Sequence, residues 1–458
     1  MAQRTQTQSA PAGQRSREMQ GYFYTLADHL TSKLQGAEVF TAGFAAEESD
    51  FARLNKSQVR QAGAVTQYSL GVDLIDGARH VGGETTLTGG PAEDRQRLRA
   101  LVTTLRERLP HLPEDPHLLY ARDVHSTEQH GQNRLPDAGD TIASVLDRVK
   151  AYDFVGIWAS GGIYSGFANS LGQRNWFSTY TFHLDWSLYH QADKAVKTAY
   201  AGFAWDPTGF DAKLQSAVEQ LKILAQPART IDPGRYRVFL APVALSEILG
   251  TLSWGGFGLK DHRTKQSTLL RMSEEKATLS PAVSIFENTK DGVAPNFQGA
   301  GFLKPDRVVL IEKGTFRDCL ISPRSAKEYA VSTNGASDGE TPESVEMAAG
   351  DLAQGDVLAR LDRGVYINNL WYLNYSDRPN CRMTGMTRFA CFWVENGRIV
   401  APLNVMRFDE TVFRALGSNL LGLTAEREMI LDSNTYYRRS TGSARLPGAL
   451  VEDFSFTL

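Results

Sequence analysis

Ser178-Thr179-Tyr180-Thr181-Phe182-His183-Leu184-Asp185-Trp186-Ser187-Leu188-Tyr189 alternates apolar and polar side chains without a slip. Successive side chains of a strand point to opposite faces. Tyr180, Phe182, Leu184, Trp186 and Leu188 therefore share one face, and Thr181, His183, Asp185 and Ser187 share the other. The first face belongs to a core, and the second is expected to meet solvent. Phe154–Ser160 and Gly162–Ser170 precede this strand, with Gly161-Gly162 read as a turn, and Ala195–Trp205 follows a turn near Ala192-Asp193. Together these segments predict a β-meander.

Upstream, Met19, Phe23, Leu26, Leu30 and Leu34 recur at helical spacing and predict an amphipathic helix over 17–35. Ala37–Gly43, Ser49–Leu54 and Gly63–Leu74 read as strands, and Asp76-Gly77 turns the chain into Arg79–Leu87. Pro91, Glu93 and Asp94 start a second helix, whose apolar face carries Leu98, Leu101, Val102, Leu105 and Leu109. His111 to Ala138 is rich in Pro, His and Asp and reads as irregular. Asp140 caps a short helix, and Pro207 opens another bearing Phe210, Leu214, Val218, Leu221 and Leu224.

Asp232-Pro233-Gly234 is the expected joint between domains, because turn-forming residues separate that helix from the apolar strand Tyr236–Ala241. Beyond about 280 strand and turn predominate: Arg307–Glu312, Gly364–Leu373, Arg388–Glu395, Arg398–Val405 and Leu450–Thr457, with Asn396-Gly397 a hairpin signal. The expected fold is α+β. After a disordered lead-in over 1–18 comes an amino-terminal α/β-meander domain over 19–231, followed by a largely antiparallel β domain over 232–458.

The 458 residues carry a net charge of -3 and contain no run of five or more like charges, so direct binding to nucleic acid is not expected. No window reaches the roughly 20 apolar residues of a membrane span. The polar opening segment lacks the apolar stretch of a signal peptide. Three cysteines, Cys319, Cys381 and Cys391, suit a reducing compartment, and the expected location is the cytoplasm.

Chemistry-bearing constellations are sparse. His125 and His130 flank Glu128 in the irregular stretch, at a spacing of five that does not pair two ligands on one helix face. Cys381 and Cys391 fit no common zinc spacing and read as buried thiols. His183 and Asp185 on one strand face are a conceivable acid/base pair, although such neighbours are more often solvated. There is no nucleophile elbow and no phosphate loop. Tyr366, Trp371, Tyr372, Tyr375, Phe389, Phe392 and Trp393 read either as sheet core or, for Tyr366, Trp371, Tyr372, Phe392 and Trp393, as a groove that takes an extended peptide by strand addition.

Three blocks resemble one family in order and spacing. The first is Glu48-Ser49-Asp50-Phe51-Ala52-Arg53-Leu54-Asn55 with Val59-Arg60-Gln61 and Leu70-Gly71-Val72. The second is Phe167-Ala168-Asn169-Ser170-Leu171-Gly172. The third comprises Gly364-Val365-Tyr366-Ile367, Thr384-Gly385 and Phe392-Trp393-Val394-Glu395-Asn396-Gly397. They resemble the TldD/PmbA family, also called modulator of DNA gyrase or peptidase U62, and look closer to its TldE/PmbA branch than to TldD.

The resemblance implies a paired system in which a TldD-like subunit is a zinc metalloprotease and a TldE-like subunit is its metal-free partner, together processing or degrading unfolded or leader peptides. It also implies zinc ligands from an H-E-x-x-x-H helix and a cysteine near the carboxyl terminus. Carried onto Ala241-Pro242-Val243-Ala244-Leu245-Ser246-Glu247-Ile248-Leu249-Gly250-Thr251, the histidine positions fall on Ser246 and Thr251, the general-base position falls on Glu247, and no cysteine follows Cys391. No metal or other cofactor is then expected in this chain, the zinc belonging to the partner. A homodimer is an alternative assembly. Two rival readings remain. One is a self-sufficient metallopeptidase or hydrolase built on His125/His130 or His183/Asp185 with Glu247. The other is a stand-alone protein that binds extended peptides.

Overall fold

The computed structural model describes residues 13–191 and 194–457. Strands β1 (Val39–Asn55), β2 (Gln58–Asp76), β3 (Arg79–Leu87), β4 (Thr127–His130), β5 (Asp153–Asn169), β6 (Arg174–Gln191) and β7 (Lys194–Gly202) make one sheet in the order β3-β2-β1-β5-β6. β7 and the short β4 share the outer edge of β6; β4 is parallel to it and the other pairings are antiparallel. The turn expected at Ala192-Asp193 lies outside the described residues, but β6 and β7 pair up to Gln191 and Lys194 on either side of it.

Four helices cover one face of this sheet: α1 (Gln14–Thr31), α2 (Pro91–Arg108), α3 (Ala138–Val149) and α4 (Pro207–Leu224). α1 and α2 press Phe23, Leu26, Leu98 and Val102 onto Phe40, Phe44, Leu70 and Trp176. α3 and α4 bring Val145, Phe210 and Leu214 onto Trp158, Phe182, Leu184 and Trp186. Each of these large buried side chains contributes roughly 2–3 kcal/mol through burial. The apolar face of β6 is thus core, as its alternation predicts.

Several expected boundaries change. α1 already begins at Gln14, and Ser16 is buried, bonded to His130 and Ser178, so the lead-in does not extend to residue 18. Residues 1–12 of that expectation lie outside the described part. The two strands expected over 37–54 are one, because Glu47 and Glu48, which look like a break, both find partners within the fold. Gly161-Gly162 is no turn either: β5 runs straight through it. A Cβ at Gly161 would lie 2.0 Å from the Glu48 carbonyl oxygen, and the backbone there takes φ +143°, so glycine is needed for close strand packing.

The second sheet contains β8 (Gly234–Leu240), β9 (Ile285–Glu287), β10 (Val308–Glu312), β11 (Thr315–Phe316), β12 (Ser344–Met347), β13 (Gly364–Asp377), β14 (Arg382–Glu395), β15 (Arg398–Pro402), β16 (Arg407–Thr411), β17 (Leu420–Leu431) and β18 (Ser443–Phe456). Its long hairpins, β13–β14 and β17–β18, are antiparallel, while β8 runs parallel to β13. The architecture is α+β, with mainly antiparallel sheets.

Candidate functional site

β8 leads directly into α5 (Pro242–Ser253), with Pro242 in the first turn, where its missing N–H costs nothing. Ala244, Leu245, Ile248, Leu249 and Leu252 are buried and fix the helix against the sheet. That orientation leaves Glu247 and Gly250 exposed and Ser246 and Thr251 half-buried. Ser246 Oγ donates to the Val243 carbonyl at 2.7 Å, and Thr251 Oγ1 donates to the Glu247 carbonyl at 3.0 Å. Both hydroxyls are turned back onto their own helix, and Tyr375 OH donates to the Thr251 carbonyl at 2.8 Å.

The amino-terminal end of α5 meets the first sheet at a cavity of about 290 Å³, walled by Lys197, Lys213, Pro242, Val243, Tyr366, Asn368 and Glu428. Lys213 pairs with Glu428 across it. Lys197 lies 3.5 Å from Asp185, and its carbonyl accepts from Asn368 Nδ2 at 3.0 Å. The surrounding protein desolvates the Glu247 carboxyl and raises its pKa, with Lys197 opposing the shift. Glu247 is nonetheless open to solvent.

Further along the polar face of the first sheet, the Thr181 and His183 positions of β6 are covered. The loop 432–442 joining β17 to β18 lies over it and buries Arg439, which is 4% exposed. Its guanidinium donates to Thr181 O at 2.8 Å, Thr181 Oγ1 at 2.6 Å and Gly161 O at 3.2 Å, and its backbone N–H donates to Glu47 at 3.2 Å. Cavities of about 530 and 560 Å³ flank this loop, both walled by Ala45, Ala46, Glu47, Tyr436 and Arg438. Thr181 and His183, expected to be solvated, are therefore buried. Burial and the nearby Arg439 lower the His183 pKa to about 4, and its Nε2 makes no hydrogen bond among the described residues. Asp185 is engaged with Lys197, so the structure does not assemble the two into an acid/base couple.

The remaining candidates disperse. His130 bonds Ser16 at 2.8 Å through Nδ1 and approaches Glu128 at 3.8 Å through Nε2, while His125 offers its backbone carbonyl to Asn175. Cys381 and Cys391 are buried, with thiol pKa values pushed by desolvation to about 12 and about 11. Phe392 and Trp393, 0% and 2% exposed, sit in the cores on opposite faces of β14 and present no surface to a peptide. Tyr366 is half-buried at the cavity wall. Trp371 and Tyr372 are exposed. Sequence reasoning missed Lys197 and Arg439; the only signal for Lys197 was its place on the strand after the β6 alternation.

Residues 233–458 match the PmbA/TldA metallopeptidase C-terminal domain. The chain belongs to the TldD/PmbA family. Three solved structures share its fold over nearly the whole length. A candidate modulator of a DNA gyrase from Thermotoga maritima is 14% identical with a TM-score of 0.74, covering 96% of this chain and 100% of that one. TldE from Thermococcus kodakarensis is 14% identical with a TM-score of 0.73, at the same coverages of 96% and 100%. A candidate modulator of DNA gyrase from Bacteroides thetaiotaomicron is 15% identical with a TM-score of 0.70, covering 97% and 99%. No curated protein matches the chain in sequence.

The family name carries a metal, so the fit of α5 to one matters. Zinc takes imidazole, thiolate or carboxylate donors. Positions 246 and 251 supply only neutral hydroxyls committed to backbone carbonyls. Among the described residues no three His, Cys, Asp or Glu side chains converge as a metal would require. The residues of this family member do not fit that ion.

Proposed function

We propose that this PmbA/TldD protein is a metal-free, TldE-like subunit that pairs with a zinc-bearing TldD-like chain and helps hold unfolded or leader peptides for cleavage by that partner. The observation that carries the reading is the chemistry of α5: a protease-family helix keeps its carboxylate at Glu247, but the Ser246 and Thr251 hydroxyls donate back to carbonyls of their own helix and offer no metal donors. A carboxylate without a metal-polarised water has no metalloprotease step to perform. The raised pKa of Glu247 comes from desolvation by the protein around it, which needs no catalytic role.

Co-expression with a zinc-bearing TldD-type chain tests this. The expected result is co-purification in equal amounts, with all of the zinc in the partner and peptide cleavage that depends on this chain. Stoichiometric zinc in this chain alone, with peptide turnover by it, would overturn the reading.

A further inference from the structure

Beside α5 the β13–β14 hairpin raises a ridge of exposed rings. Trp371 is 47% exposed, Tyr372 75%, and Trp254 at the end of α5 60%. Arg388 lies over Trp371 at 4.9 Å and beside Phe389 at 5.4 Å. Arg378 lies 5.0 Å from the Tyr375 ring and 5.7 Å from that of Trp254. Lys197, from the wall of the α5 cavity, approaches Phe389 at 5.9 Å, so the ridge begins at the cavity mouth.

The backbone presents this ridge at a cost. The β13–β14 register slips between Ile367 and Asn369 and again between Trp371 and Asn374. Tyr372 and Phe389 take φ values of +58° and +59°, a conformation that bulky side chains avoid. Core packing does not require an outward Tyr372. The cavities described above take none of Trp254, Trp371 or Tyr372 into their walls.

Tryptophan, tyrosine and arginine on one surface are the residues that dominate protein–protein contact energies. Arg378 donates through Nη2 to the Gln266 carbonyl at 3.4 Å and its charge acts on Asp261, whereas Arg388 has no carboxylate at ion-pair distance among the described residues. A guanidinium stacked on a ring keeps its N–H fork for bidentate binding of a carboxylate. We infer that the ridge from Phe389 and Trp371 to Arg378 and Trp254 is the docking surface for a carboxylate-bearing face of the second subunit. The inference rests on the subunit pairing proposed above and adds where that pairing occurs.

The test uses the full chain and a zinc-bearing TldD-type partner, with affinity measured by sedimentation or calorimetry. Trp371→Ala and Arg388→Glu are each expected to weaken pairing tenfold or more while leaving the thermal midpoint of the isolated chain unchanged. Tyr436→Ala with Tyr437→Ala, which removes exposed rings from the 432–442 loop, is expected to leave pairing intact. If the wild-type chains pair and the ridge variants pair as tightly, the ridge assignment fails while the subunit reading stands. If the wild-type chains do not pair, both fail. Self-association of this chain alone that Arg388→Glu abolishes, or loss of binding to a labelled extended peptide with pairing unchanged, would also overturn the assignment.

Discussion

Two polar patches of this molecule look alike in sequence and behave oppositely. One is the Thr181/His183 row of β6 with Glu47 and Ser49 of β1; the other is Ser246, Glu247 and Thr251 on α5. The first is sealed by Arg439, whose buried guanidinium donates to the Gly161 and Thr181 carbonyls. The second stays open, its hydroxyls satisfied within one helical turn. A sealed polar patch holds the two sheets together, whereas an open one is free to meet another molecule. The contrast separates structural polarity from polarity that can act.

The largest break in this comparison should come from Arg439→Ala. It strips donors from Thr181 and Gly161 and is expected to cost about 4 kcal/mol of stability in urea unfolding, with Arg439→Lys intermediate. A smaller effect should appear in pH dependence. The His183 pKa is lowered to about 4 by burial and by the charge of Arg439, with Asp432 opposing the shift. The unfolded chain binds a proton near the ordinary pKa of about 6.5 while the folded chain does not. Stability from this group is therefore complete above that value and lost as pH falls toward about 4, by on the order of 3 kcal/mol. His183→Gln should flatten the unfolding free energy over that window; an unchanged slope would place the titration elsewhere. The smallest effect belongs to α5. Ser246→Ala and Thr251→Ala remove only local back-bonds and should each shift stability by less than about 0.5 kcal/mol, measured in the same urea series.

Part of this was readable in the linear chain. The β6 alternation marks its core face, and the helical spacing from Met19 to Leu34 marks α1, because both periods are local geometry. Asn396-Gly397 marks its hairpin because both residues take positive φ there. Gly161-Gly162 misled because a glycine that admits a neighbouring strand looks like one that makes a turn. Phe392 and Trp393 carried two readings, sheet core or peptide groove, and cover on both faces of β14 puts both in the core. The ridge was half legible: the aromatic cluster is in the sequence, but which rings face outward depends on register slips within the hairpin.

The sequence by itself determined that α5 lacks imidazole or thiolate where its family relatives are expected to hold a metal, since donor chemistry is a property of the residue. Only the tertiary structure decided which polar side chains remain accessible. The residue that closes the first patch, Arg439, comes from 258 positions beyond the Thr181 it binds. No local pattern records a contact made by chain closure over that separation.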